Sequence, residues 1–299
     1  MGARHEPVLV AETMEALAVK DGGLYVDGTL GLGGHARETL TRSAPNGHLI
    51  AFDRDAETLA EAQQTLAPFS DRVRFVHDDF RSIPEVLGRE RASGILLDLG
   101  LSSVQLDTLE RGFSFQSDGP LDMRLDRSRG ETAAEVVNRM REGDLADVIY
   151  RFGEEHASRR VARAIVDARQ RGEITRTTQL ATIVRRNAKG RPGLDPATRT
   201  FQALRIYVNQ ELEGLDAALR SIAECLAPGG RLVVIAFHSL EDREVKQAFR
   251  ALAQEGFRLL TKKPIRPGED EVRRNPRSRS AKLRVIERNS AENGIREAA

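Results

Sequence analysis

Three aspartates, each closing a short apolar run, are the residues of this chain best placed to do chemistry. Asp27 follows Leu24-Tyr25-Val26 and opens the stretch Asp27-Gly28-Thr29-Leu30-Gly31-Leu32-Gly33-Gly34-His35. Gly31, Gly33 and Gly34 let the backbone approach a ligand where a Cβ would collide, and a helix starting there offers unpaired N–H groups to an anionic group. Nicotinamide, flavin and methyl-donor sites all use such a loop, so the loop alone does not choose among them. Asp53 ends the next apolar run, 20 residues after Gly33. It is placed to accept hydrogen bonds from two ribose hydroxyls, which points to an adenosine ligand. Asp27 then separates the candidates: a carboxylate inside the turn repels a pyrophosphate, whereas adenosylmethionine brings an ammonium and a sulfonium there.

Asp98 ends a further apolar run, in Leu96-Leu97-Asp98-Leu99-Gly100-Leu101-Ser102-Ser103. The lone pair of an exocyclic base amine is delocalised into the ring. An acceptor beside the amine favours the pyramidal nitrogen that attacks a methyl group, and it takes the displaced proton. Asp98 is the first candidate for that task, with the Ser102 hydroxyl at the same edge; a loop cap for Ser102 and Ser103 is the alternative. Phe80, after His77-Asp78-Asp79, suits either an adenine ring or a staple at a helix start.

The elements that must position these residues can be read from periodicity. Strands are expected at 23–27, 48–53, 73–77 and 94–98, with helices at 8–18, 35–42 and 56–66 between and before them. This alternation predicts an α/β fold with a parallel sheet whose ligands lie at the carboxyl ends of the strands. A fifth strand, 231–237, is announced by Leu226-Ala227-Pro228-Gly229-Gly230, read as a helix stop and a tight turn. About 130 residues separate the fourth strand from the fifth, several times what a crossover helix needs. That segment reads as helical. Thr132 opens a capping box with Glu135, 154–171 is amphipathic, and Asp195-Pro196 starts another helix with Asp as N-cap. An inserted all-helical domain at 109–208 is therefore expected between two parts of one larger domain, 1–108 and 209–299. Strands at 257–260 and 282–286 complete the sheet as an antiparallel edge pair.

Composition sets the outer bounds. The chain has 299 residues, 40% hydrophobic and 30% charged, with a net charge of +1, as expected of a water-soluble enzyme. No apolar run approaches the roughly 18 residues of a spanning helix, and the charged start at Arg4 and Glu6 lacks a signal-peptide pattern, so a cytoplasmic address without membrane is expected. Cys225 is the only cysteine, which excludes an internal disulfide and a multi-thiolate metal site; it reads as a small core residue. The six histidines lack ligand spacing, so no metal is expected. Residues 1–100 carry 10 basic against 16 acidic side chains, while 262–284 carry nine against three, interleaved with prolines. A polyanion gripped away from the first hundred residues, or ordinary solvated faces and a solvated hairpin tip, would each give that distribution.

Beyond these readings, the chain resembles the bacterial ribosomal RNA small-subunit methyltransferase H family, also called MraW. The stretches that carry the resemblance are His5-Glu6-Pro7-Val8-Leu9, Asp27 to His35, Asp98 to Asp107 and Arg111-Gly112-Phe113-Ser114-Phe115. Further stretches are Gly119 to Arg124, Thr200 to Arg205, Phe237-His238-Ser239-Leu240-Glu241-Asp242-Arg243 and Asn275 to Lys282. They run through nearly the whole chain. The resemblance implies a Rossmann-like class I methyltransferase with a seven-stranded, mostly parallel sheet. It implies S-adenosyl-L-methionine contacts at Gly33, Gly34, His35, Asp53, Phe80, Asp98 and Gln105. It also implies N4-methylation of a cytidine in the decoding centre of 16S rRNA, on free RNA or the small ribosomal subunit. Many other amino-group methyltransferases carry a Pro-Pro-aromatic tetrad after the fourth strand; here Leu99-Gly100-Leu101 stands in its place. Phe113 or Phe115 is expected to clamp the flipped base instead. His238 suits either a loop hydrogen bond or a catalytic base. The competing readings are a nicotinamide dehydrogenase, a catalytically inactive RNA-binding assembly factor and a DNA amino-methyltransferase.

Overall fold

The computed structural model describes residues 7–190 and 193–290, so His5 and Glu6 of the first family stretch lie outside the described residues. Two compact units emerge: Met1–Gly100 with Gly214–Ala299, and Leu101–Glu213. The sequence reading sets the boundaries at 108/109 and 208/209. The shift has a packing cause: Leu101 and Leu106 pack on the apolar core of the helical unit, and Glu211 holds Arg205 of that unit at 2.9 Å.

The sheet unit starts with α1 (Val10–Leu17), β1 (Leu24–Asp27), α2 (Gly34–Arg42), β2 (His48–Asp53), α3 (Ala56–Thr65), β3 (Val73–His77), α4 (Ile83–Leu87) and β4 (Ala92–Asp98). The helical unit follows with α5 (Ser103–Asp107), α6 (Ala133–Arg139), α7 (Glu142–Gly153), α8 (Ser158–Arg169), α9 (Thr177–Asn187) and α10 (Ala197–Asn209). The chain then returns to the sheet unit as α11 (Leu215–Ala223), β5 (Leu226–Ala236), α12 (Ser239–Leu252), β6 (Phe257–Leu259), α13 (Glu269–Arg274) and β7 (Lys282–Arg288).

The strands form one seven-stranded sheet in the order β3-β2-β1-β4-β5-β7-β6. The first five are parallel and β7 runs antiparallel to both neighbours, the Rossmann-like methyltransferase arrangement. Strand order reverses beside β1, and in open α/β sheets ligands bind at such a reversal. Helices cover the sheet through two apolar clusters: Tyr25, Leu40, Leu49 and Leu66 in one, Leu9, Leu17, Val233 and Leu283 in the other.

The fifth strand begins earlier than expected. Ala92 pairs with Leu226 and Gly94 with Arg231, so Ala227 to Gly230 bulge out of a ladder that continues on both sides. Gly229, at φ 75°, takes the backbone turn that the bulge requires. In the helical unit the capping box of Thr132 and Glu135 is formed, with contacts of 3.1 and 2.9 Å. The amphipathic stretch at 154–171 becomes a helix only from Ser158, because Glu154 ends α7 in the left-handed conformation at φ 50°. Helix α10 starts one residue after Pro196, and the Asp195 carboxylate still accepts from the Ala197 N–H at 2.8 Å.

Candidate active site

The loop after β1 is tied down by backbone bonds on both flanks. Gly28 N–H donates to Leu96 O at 2.9 Å and Leu30 N–H to Phe52 O at 2.8 Å, so the loop is stitched to the strands on either side. Asp27 lies opposite Ala51 and Leu96 in the sheet, which sets Asp53 and Asp98 two residues further along the neighbouring strands. All three acids thus stand at one sheet edge; the loop holds the carboxylates of Asp27 and Asp53 and the backbone of Asp98. Thr29 N–H donates to Asp27 Oδ1 at 3.1 Å, and Gly31 N–H donates to Asp53 Oδ2 at 2.9 Å. The Asp98 N–H donates to Thr29 Oγ1 at 2.6 Å.

Burial makes these acids unusual. Asp27 is 3% exposed, and its pKa is pushed up to about 7, first by burial and then by the charges of Asp98 and Asp53 against the opposing bond from Thr29. Burial lifts Asp53 to about 6 although the N–H groups of Asp55 and Gly31 favour its anion. Asp98 is lifted to about 7 by burial, opposed by the Gly100 N–H and reinforced by the Glu241 carboxylate. One buried and two half-buried acids whose charged forms are held back in this way make a site suited to a cation.

The remaining residues singled out in the sequence take distinct places. Gly33 is the N-cap of α2 in the left-handed conformation at φ 80°, so the first-turn amides of α2 face out of the loop. Gly34 is required by the chain itself: a Cβ there would lie 2.1 Å from Pro7 Cγ. His35 is buried on α2, its Nε2 2.9 Å from Val8 O and its Nδ1 3.9 Å from Asp98 Oδ2. Phe80 is 8% exposed, with the Arg81 guanidinium 4.8 Å from its ring centre, and a Cβ on Gly28 would meet its Cβ at 3.0 Å.

Ser102, Gln105 and Phe113 belong to the helical unit. Ser102 and Gln105 cap α5 reciprocally: Gln105 N–H donates to Ser102 Oγ at 3.2 Å, and Ser102 N–H to Gln105 Oε1 at 3.0 Å. The serine hydroxyl accepts in that box, so its own proton is not used there. Phe113 sits in the apolar core of the unit, so clamping a base with it requires that core to open. Phe115 is half-buried, edge-on to Phe201 at 4.9 Å, with Arg185 5.6 Å from its ring centre.

Two residues of the sheet edge were not assigned a role from sequence. Thr29 ties the loop to Asp98, and its place inside the glycine motif was the available signal. Glu241 is 2% exposed and accepts from the N–H groups of Phe237 and His238 at 2.8 and 3.3 Å, closing the end of β5. His238 Nδ1 in turn accepts from the Glu241 N–H at 3.2 Å, so this histidine caps α12. In the basic segment, Lys282 and Arg284 turn inward to Asp242 at 3.1 and 2.7 Å, while Lys262, Lys263, Arg266, Arg277 and Arg279 are exposed.

Residues fit for adenosylmethionine are therefore present: the carboxylates of Asp27 and Asp98 for its positive groups, helix-start amides of α2 for its carboxylate and an acid at the end of β2 for a ribose. The MraW methylase family profile matches residues 2–289. A protein of Citrifermentans bemidjiense named ribosomal RNA small subunit methyltransferase H is 50% identical over 306 residues, covering 95% of this chain and 98% of that one. One of the same name from Sorangium cellulosum is 50% identical over 292 residues, covering 96% and 91%. Among solved structures, an rRNA methylase of Streptococcus thermophilus aligns with a TM-score of 0.44 at 13% identity over 97% of this chain and all of that one. Matched by the family profile across nearly its whole length, and sharing half its residues with full-length relatives, the chain belongs to the MraW methylase family.

Proposed function

We propose that this protein methylates the exocyclic N4 of one cytidine in the decoding centre of 16S ribosomal RNA, with S-adenosyl-L-methionine as donor. The observation that carries the reading is the set of three acids at one sheet edge, Asp27 buried and Asp53 and Asp98 half-buried, two of them raised to about 7. A pyrophosphate placed there adds negative charge to acids already strained by one another. A sulfonium and an ammonium relieve them. The names of the relatives supply the substrate class, small-subunit ribosomal RNA.

Bound adenosylmethionine supplies an electrophilic methyl group; as the amine nitrogen bonds to it, the S–C electron pair stays on sulfur and one N–H proton must leave. The chain's own residues divide the remaining work. Asp53 holds the ribose, Asp27 faces the ammonium, and Phe80 flanks the adenine. The first-turn amides of α2, at Gly34 and His35, hold the carboxylate, while the Gly33 N–H is spent on Leu30 O at 2.9 Å and shapes the turn. Asp98 accepts a hydrogen bond from the amine and then its proton. Ser102 offers the hydroxyl proton left over from the capping box that Gln105 closes. Phe113 or Phe115 takes the face of the base, with Phe115 the more accessible of the two.

Mass-spectrometric mapping of methylated nucleosides in ribosomal RNA from cells with and without this protein tests the substrate. Loss of one N4-methylcytidine is expected. In vitro, tritiated donor with small subunits lacking the modification separates an active enzyme from an assembly factor, and stabilisation by NAD but not by adenosylhomocysteine would remove the proposal altogether.

A further inference from the structure

The segment linking β6 to β7 is built into the fold. Ile265 pairs with Leu283, and Ser278 is fully buried with its Oγ donating to Asn275 O at 2.8 Å. From α13, Glu271 reaches out to accept from the Leu9 N–H at 2.7 Å. Leu9 stands in the left-handed conformation at φ 54° at the start of α1, and it has no side-chain cap of its own. Glu271 therefore satisfies the N–H of the N-cap residue and holds a strained residue in place.

One residue earlier, Val8 O meets His35 Nε2. A carbonyl can only accept, so Nε2 carries a proton and Nδ1 is the nitrogen whose protonation can vary. That nitrogen faces Asp98 Oδ2 at 3.9 Å. Two lone pairs at this separation repel, whereas a proton on Nδ1 turns the pair attractive and keeps Asp98 an anion, the form that accepts from an amine. The other acids that bear on Asp98 work the opposite way: Asp27 from β1 and Glu241 from α12 both disfavour its charge. Pro7 seats on Gly34, so residues 7–9 form a strap that touches the glycine loop at one end and α13 at the other.

We propose that His35 and Glu271 are positioning residues for Asp98: Glu271 fixes the strap, the strap fixes the imidazole, and the imidazole holds the carboxylate as an acceptor. The inference rests on the methyl-transfer reading and adds to it a role for an acid in the basic segment, 262 positions away from the residue it holds.

The test is kcat and KM of the full-length enzyme on unmodified small subunits, from about pH 5.5 to about pH 9. Glu271→Ala is expected to lower kcat about fivefold on the acid side and to move the acid limb to higher pH. At high pH it should approach wild type, with both KM values within about twofold. Glu271→Gln keeps an amide oxygen for the Leu9 N–H and is expected to restore the wild-type limb. His35→Asn should move the limb further in the same direction. An equal loss at every pH, a loss confined to KM for RNA, or a Gln variant behaving like the Ala variant would each overturn the proposal. Wild-type enzyme without activity in the same assay would instead remove the methyl-transfer reading beneath it.

Discussion

The two units treat their acids in opposite ways. In the helical unit, burial alone would raise Asp122, but hydrogen bonds from Arg124 at 2.8 and 3.0 Å bring it below the usual carboxylate range. Asp118 and Asp195 are likewise lowered, first by hydrogen bonds from Arg176 and Arg185. In the sheet unit, Asp27, Asp53 and Asp98 are held above that range by burial, with backbone N–H groups as the main opposing influence. Asp242, on α12 of the same unit, shows that the sheet unit can pair an acid when the role is structural: Arg284 and Lys282 lower it against its burial. Acids that already have an arginine hold the fold together. On the proposed reading, acids left without that compensation await a ligand that brings its own positive charge.

The largest effect that could break this contrast is at Asp98. Asp98→Asn keeps the shape and the N–H bond to Thr29 but removes the proton acceptor. A loss of about 10²- to 10⁴-fold in kcat is expected, read by single-turnover methylation. A loss below about tenfold would place the proton acceptor elsewhere. Asp27→Asn is the next in size, and its sign is opposite for stability. The folded pKa of Asp27 lies near 7, above the roughly 3.9 of an unfolded aspartate. Its contribution to stability is therefore complete below about pH 4 and is lost as pH rises through about 7. The ligand-free Asn variant should accordingly be more stable than wild type at pH 8, on the order of 2 kcal/mol in urea melts, and no more stable at pH 4. It should also lose affinity for adenosylmethionine, so that added ligand reverses the ranking.

The same contrast explains which parts of the molecule the sequence could disclose. Strands β2 and β3 are legible to the residue, because each is a run rich in strand-forming side chains bounded by turn residues, and the place of Asp53 at the end of β2 follows from that. The start of β5 was not, since Pro228-Gly229-Gly230 reads as a chain break while the ladder resumes after the bulge. The limits of the helical unit were set by Leu101, Leu106 and Glu211, whose contacts no periodicity encodes. At the site, Asp27, Asp53 and Asp98 stand out by residue type and station. Val8 and Leu9 act through a carbonyl and an N–H that every residue possesses, and Glu271 acts across 262 positions. Such partners leave no local pattern. His238 was ambiguous for a different reason: histidine is not among the favoured N-cap residues, so the capping box it forms with Glu241 does not announce itself.

In the helical unit the expected effects are smaller and run with the opposite pH dependence. Arg124→Ala should destabilise by about 1 to 2 kcal/mol at neutral pH, because it removes the hydrogen-bonded partner of buried Asp122 and leaves Arg127, 3.8 Å away, as its charged partner. The Asp122 pKa is lowered on folding, so its contribution is present above about pH 4 and is lost as pH falls through the folded value; the cost of the mutation should fade in acid.

The smallest effect separates two contributions at one carboxylate. Asp195 pairs with Arg185 at 2.8 Å on the surface and also accepts from the Ala197 N–H at the start of α10. The ion pair is exposed on the arginine side and screened, so Arg185→Ala should cost no more than about 0.5 kcal/mol and should cost nothing in molar salt. Asp195→Ala removes the cap as well, about 1 kcal/mol that salt does not screen. If both variants lose the same stability and both losses vanish in salt, then α10 does not depend on that cap, and the structural role assigned here to acids of the helical unit reduces to surface charge.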